Sequence, residues 1–398
     1  MYTPLIAMAP GPSTASTQRY LGFSSGNSSA SSATSAGFVA APFAVAGTIS
    51  NLAVSFPTTM SGSGTYTVGV VQNGSINGSF QCVMGTGVQT CTYSSTTISV
   101  SAGDTIAFSI LPASTPTAQG FLQISATFAA ASGQSLLFAN TQPGATVSAS
   151  VNNYAYFGGS NSVLQTSEGP AESVIATGGT IDDLYVATNA TTGSGSYAIT
   201  INHNGSATSL TCTINSASPC NDTTAGHAFT VAAGDTISVG FVPSSSPTAR
   251  YLTVSVRWTP TINGEALLFA TANTLPNTAN TRYLNLAGTG ASSGTEASFN
   301  NLAGSIFTVK KLNVLQQPQP GSGVTRTVTL RANAGAVGSP GNISCTVSAG
   351  TGATGTCSDT TNSYTTAASD LLDWQTSVSG TNTALTQFAI GAVAYQAP

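Results

Sequence analysis

Six cysteines divide this chain into three. They fall as Cys82/Cys91, Cys212/Cys220 and Cys345/Cys357, with first members 130 and 133 residues apart. A fixed period of this kind marks tandem structural units, and other landmarks keep it. T-[IV]-x-x-L stands upstream of each pair, at 48–52, 180–184 and 308–312. Each copy continues as L-x-V, giving Leu52/Val54, Leu184/Val186 and Leu312/Val314. A Gly-Ser-Gly turn follows at 62–64, 193–195 and 321–323. Next comes period-two alternation, in Tyr66/Val68/Val70, Tyr197/Ile199/Ile201 and Arg326/Val328/Leu330, which is the pattern of a strand wet on one face.

Beyond the cysteines each copy has a turn and a further strand. The turns are Gly103-Asp104, Gly234-Asp235 and Ser369-Asp370; alternation then resumes at Ile106/Phe108/Ile110, Ile237/Val239/Phe241 and Leu372/Trp374. Two joins between copies read GQSLLFA at 133–139 and GEALLFA at 264–270. No run has helical periodicity. Only 5% of residues are charged but 41% are hydrophobic, so apolar surface suffices for real cores. Strands that alternate must bury one face against a second sheet. The expected fold is all-β: three tandem two-sheet antiparallel β-sandwiches, jelly-roll-like, each with one local disulfide. The expected units are 19–130, 131–260 and 261–398. Residues 1–18 precede them, where Pro4, Pro10 and Pro12 predict an extended N-terminal arm.

Within the cysteine pairs 8, 7 and 11 residues intervene. That spacing suits two facing strands joined by a hairpin. Reduced buried thiols are the bland alternative. Zinc fits less well, since structural sites want four ligands at closer spacing and only the middle copy has a histidine near its pair, His227. Disulfides persist in oxidising compartments. The N-terminus lacks the basic and apolar regions of an ordinary secretory signal, a combination expected of a virion protein made in the cytosol and exposed after lysis.

Enzyme chemistry finds little support, and the chain is expected to be no enzyme and to carry no cofactor. Its two histidines, His203 and His227, both lie in the middle copy. His203 aligns with Gln72 and Ala332, and His227 with Thr96 and Asn362, so polar strand or turn roles are expected. Asp182-Asp183 is a candidate Ca²⁺ or acid/base pair. Its equivalents are Ser50-Asn51 and Lys310-Lys311, as on a solvated face. Asp104, Asp235 and Asp370 do recur. The economical reading is a turn aspartate that accepts backbone N–H bonds, with Gly103 and Gly234 supplying unusual φ; a shared metal site is the alternative. Asn73-Gly-Ser75 and Asn204-Gly-Ser206 match a glycosylation triplet, which chance produces often here. No ligand-binding residue is identifiable. Six Arg and two Lys are scattered along the chain, so nucleic-acid binding is not expected. Neither is membrane insertion, because no apolar run is long enough.

The pattern C-T-[IV]…C-x-D-T…V-x-A-G-D, carried by Cys212…Cys220-Asn-Asp-Thr…Asp235 and in part by Cys345…Cys357-Ser-Asp-Thr, resembles tandem-repeat β-sandwich domains of phage virion and bacterial surface proteins. It covers about 40 residues of each copy by the alignment above. Copy one departs with Thr92-Tyr93, and copy three lacks the glycine before Asp370. The resemblance implies a non-enzymatic structural protein on a bacteriophage virion surface, a capsid decoration, head fibre or tail fibre docking by its N-terminal region. Expected partners are other capsid or tail proteins, further copies of the chain as a homo-oligomer such as a trimer, and a host-surface glycan. Three copies in one chain could equally satisfy a pseudo-threefold site alone. The alternative is an adhesin or appendage subunit on a bacterial cell surface. A glycan-degrading enzyme is a third reading, resting on Asp182 and Asp183.

Overall fold

A computed structural model describes the chain apart from residues 1, 11–16, 24–31, 115, 117–119, 132, 142–144, 161–163, 217–218, 273–274, 276–277, 291, 382–383 and 398. Among the described residues the fold is all-β, with six sheets in three pairs.

In the first unit one sheet runs Tyr2–Pro10, Phe121–Ala130, Gly47–Ser55, with Thr90–Tyr93 and Ile98–Val100 on its far edge. The other runs Ser32–Ala33, Arg19–Leu21, Thr105–Ala113, Thr65–Gln72, Ser75–Met84, with Ala41–Pro42 also on Thr105–Ala113. The same central order recurs twice, with a short parallel strand, Gly159–Ser160 or Gly288–Gly290, outside the first strand. In unit 2 the first sheet contains Ser135–Asn140, Leu252–Pro260 and Gly179–Thr188; in unit 3 it contains Glu265–Ala272, Gln387–Tyr395 and Thr308–Gln317. These three positions are called the first, last and central strands. Alternation places Tyr66, Val68, Phe108 and Phe128 inside unit 1, Trp258 inside unit 2 and Trp374 inside unit 3, all fully buried.

Each central strand carries a bulge. Asn51, Asp183 and Lys311 adopt left-handed φ values of 54°, 47° and 55°, and pairing with the last strand slips there. An extra residue of this kind bends the strand and sharpens its twist. The pair that varies among Ser-Asn, Asp-Asp and Lys-Lys is therefore a shared backbone feature, indifferent to side-chain charge.

The N-terminal segment differs from expectation. Tyr2–Pro10 is a strand paired with Phe121–Ala130 along its whole length, so it belongs to unit 1; Pro12, with 11–16, lies outside the described residues. Prolines suggest a free arm, yet among the described residues this strand is a sheet edge, where a missing N–H on the open side leaves no partner unsatisfied. Leu5 and Ala7 point into the core of unit 1, while Ile6 joins the core of unit 3.

That alternation is repeated around the molecule. In unit 2 Leu137 and Ala139 face their own core while Leu136 and Phe138 join that of unit 1. In unit 3 Leu268 and Ala270 face inward while Leu267 and Phe269 join unit 2. The two-faced burial explains why LLFA reads as a continuous apolar run. Every first strand thus serves two cores. All three meet one another, around a cavity of about 20 Å³ lined by residues such as Pro4, Leu136 and Leu267.

The short segments Ala41–Pro42, Ser173–Val174 and Asn301–Leu302 complete the ring. Ala41–Pro42 packs on the central and last strands of unit 2, Ser173–Val174 on those of unit 3, and Asn301–Leu302 on those of unit 1. The three units close head to tail into a pseudo-threefold ring within one chain.

Candidate functional site

Each cysteine pair forms a disulfide, with Cα–Cα separations of 5.8, 5.9 and 5.7 Å. The connection is not the expected hairpin within one sheet. Cys82 lies opposite Val68 in one sheet and Cys91 opposite Val54 in the other. Cys212 and Cys220 face Ile199 and Val186, and Cys345 and Cys357 face Val328 and Val314, in the same way. The bond therefore staples the two sheets to each other between their outer strands. Hairpin spacing in sequence does not distinguish a turn within a sheet from a crossover between sheets. No free cysteine remains, which suits an oxidising, extracellular environment.

The recurrent turn aspartates make one repeated network. Asp104 accepts bonds from the Ser101 amide, Asn73 Nδ2 and Gln72 Nε2, each at 2.8 Å. Asp235 accepts from the Ala232 amide at 2.8 Å, Asn204 Nδ2 at 3.1 Å, and pairs with His203 Nε2 at 2.8 Å. Asp370 accepts from the Ala367 amide at 2.8 Å, Asn333 Nδ2 at 2.8 Å and Tyr364 Oη at 2.7 Å. Gly103 and Gly234 stand at φ 91° and 94°; Ser369 occupies the third turn without a left-handed φ. The asparagines also accept the amides of Thr105, Thr236 and Leu371, which ties this turn to the neighbouring hairpin. Burial opposes ionisation of Asp104, but its hydrogen bonds outweigh burial and hold its carboxyl below the usual range; Asp235 behaves alike.

Those asparagines were the missed residues. Asn73, Asn204 and Asn333 have φ values of 51°, 49° and 51°, at hairpins that join Thr65–Gln72 to Ser75–Met84 and their equivalents. In units 1 and 2 the recognisable signal was Asn-Gly between alternating strands, the turn sequence of tight hairpins, hidden behind its match to a glycosylation triplet; unit 3 has Asn333-Ala334 instead, with Ala334 also left-handed at φ 65°.

A second network surrounds Asp222. His227 Nδ1 lies 2.7 Å from its carboxylate, and the Thr211 and Thr224 amides donate at 3.0 and 3.1 Å. Burial pushes this carboxyl up, yet the bonds from His227, Thr211 and Thr224 together hold it down at about 2. Asp359 is bound by the amides of Ser344, Thr361 and Asn362 and by Asn362 Nδ2. In unit 1 Tyr93 takes the position, and Thr96 Oγ1 donates to its hydroxyl at 3.4 Å. His227, Asn362 and Thr96, aligned in sequence, thus satisfy the same neighbour. Both histidines are bonded to structural aspartates.

The acidic pair is committed to one cation. Arg257 forks onto Asp182 at 2.7 and 2.6 Å and reaches Asp183 at 2.6 Å. Burial raises the Asp183 carboxyl, Arg257 lowers it, and the net direction is upward. In unit 3 the lysines meet Glu265, whose side chain is fully buried: Lys310 at 2.9 Å and Lys311 at 2.6 Å. Thr177 of unit 2 donates to Glu265 at 2.7 Å and accepts from Lys311 at 2.9 Å. Burial resists the Glu265 charge, but these partners prevail and lower its titration. Paired charges here lock backbone bulges and a junction. Among the described residues, no group of three or more His, Cys, Asp or Glu side chains converges as a metal site would.

The most distinctive surfaces are the junctions. Unit 1 meets unit 2 through Thr253 Oγ1 donating to Ala40 O at 2.9 Å and through the Phe38 and Tyr251 rings, 5.6 Å apart. Unit 2 meets unit 3 through Gln387 Nε2 donating to Glu172 O at 2.9 Å and a cluster of Val174, Leu315 and Ala389. Gly391 is required there, because a Cβ would overlap the Val174 carbonyl oxygen. Unit 3 meets unit 1 through Asn285 Nδ2 donating to Met8 Sδ at 3.4 Å, and through a cleft of about 340 Å³. The chain matches no known protein-family model and no curated protein.

Proposed function

We propose that this chain is a non-enzymatic structural protein of a bacteriophage virion surface, a decoration or fibre component. The observation that carries the reading is the closed ring of three disulfide-stapled sandwiches in a single chain. Such a body presents three near-equivalent faces about one axis and needs no further copies to do so. That symmetry suits a threefold position on a particle better than it suits a soluble catalyst. Staples and scant charge favour persistence outside the cell.

Docking is assigned to a face of the ring and not to a free N-terminal arm, because Tyr2–Pro10 is occupied in a sheet. The partners are other capsid or tail proteins. Negative-stain microscopy of purified virions, with an antibody to the third unit, tests the reading. Labelled particles support it. Unlabelled particles, with the protein found instead on the bacterial surface, would favour an adhesin.

A further inference from the structure

The three junctions are equivalent in backbone but not in filling. Between the repeated Leu and Val of L-x-V stands Ala53 in unit 1, Tyr185 in unit 2 and Asn313 in unit 3; the residue after the Val is Ser55, Ala187 or Leu315. On the outer face of the central strand Tyr185, Asn313 and Leu315 meet the preceding unit, while Ala53 and Ser55 face unit 3. At the unit 1–unit 2 junction the Tyr185 ring packs on the core of unit 1, beside Gly103. At the unit 2–unit 3 junction Leu315 packs on Val174. At the unit 3–unit 1 junction both positions are small. The cleft of about 340 Å³ lies at this third junction. It is lined by Ser55, Thr90 and Thr92 of unit 1 and by Leu302, Ser369 and Leu371 of unit 3. Leu302 is the counterpart of Val174, and Ser369 is the counterpart of Gly103.

We propose that this cleft binds one aromatic side chain, phenol-like, presented by a partner protein. The chain itself supplies the precedent, since a tyrosine ring occupies the equivalent place one junction away. The cleft's chemistry agrees. Leucines form its apolar wall, and hydroxyls together with Gln89 form its rim, with Gln89, Thr90, Thr92 and Ser369 exposed at the mouth. No charged side chain lines it, and the carboxylate of adjacent Asp370 is bound by Asn333, Tyr364 and the Ala367 amide. A phosphate or carboxylate would find no counter-charge. A sugar would find no aromatic platform, because no ring is among the lining residues. An inserted ring buries large apolar area while its hydroxyl meets the polar rim. The inference concerns the cleft and stands apart from the virion reading.

The test uses p-cresol as the probe and amide chemical shifts of the full chain as the readout. Binding in the millimolar range is expected for so small a fragment, with shifts concentrated at Thr90, Thr92, Ser369 and Leu371. Ala53→Tyr, which copies Tyr185, and Ser55→Leu, which copies Leu315, should each fold with unchanged melting temperature and abolish the response. Methyl glucoside should produce none. The proposal is overturned if p-cresol leaves these amides unmoved, if both variants still respond, or if methyl glucoside shifts them and p-cresol does not. Failure of both variants to fold would equally overturn it, because the cleft would then lack room for a ring.

Discussion

Asp222 gives one residue's contribution a measurable signature. Its side chain is 5% exposed and its carboxyl is held at about 2 by His227 and two backbone amides against the cost of burial. An unfolded aspartate titrates near 3.9, so the folded state favours the ionised form. The stabilisation is complete above about pH 4 and is lost as pH falls through about 2, and it amounts to about 2.5 kcal/mol. Denaturant unfolding of the native chain and Asp222→Asn should therefore differ by about 2.5 kcal/mol at pH 6 and converge near pH 2. A gap that persists unchanged at pH 2 would assign the effect to packing instead. At this scale the sequence was informative where residues recur. The aspartates of the turns were legible as amide acceptors, and alignment alone placed His203 and His227 at polar structural positions. What was not legible was partnership: nothing in the spacing announces that Arg257 clamps Asp182 and Asp183, because the contact crosses 75 residues.

At the scale of elements, the disulfide spans two sheets and not one hairpin. Chain entropy for loops of these lengths gives about 2.5–3 kcal/mol per bond. Removing the middle bond with Cys212→Ser and Cys220→Ser should cost about that much stability, with the loss read by thermal unfolding. The free edge strand Cys220–Asp222, anchored by that bond, should also lose amide protection first in hydrogen exchange. Equal protection in both forms would refute the staple. Strands, turns and the period were readable from alternation and punctuation. The first strand was not, because its prolines imitate an arm and because a strand buried on both faces does not alternate.

At the scale of the whole molecule, cores are shared. Phe138 belongs by sequence to unit 2, but its ring lies 5.2 Å from Phe23 and 5.4 Å from Phe43 in unit 1. Phe138→Ala should cost about 3–5 kcal/mol, and calorimetry should show one cooperative transition shifted downward, not one unit melting alone. A fragment of residues 1–131, deprived of Leu136 and Phe138, should fail to give sharp tertiary signals. A well-folded fragment would mean that the units are independent. Nothing in a single repeat discloses this dependence. Ring closure is encoded by which face of LLFA meets which neighbour, and that is settled only when all three copies assemble.

Ring closure also makes the position of the chain's ends arbitrary. Units 3 and 1 touch through the same elements as units joined by the short linkers at 131–134 and 261–264. A gene rearranged to begin at residue 134, run to 397, cross a similarly short bridge and finish with 2–130 should encode the same ring. Recovery of native-like melting and near-ultraviolet dichroism from that permutant would show that the unlinked seam is held by packing as the linked ones are. A permutant that opens at the new break would show that covalent continuity, and not complementarity, holds the other two.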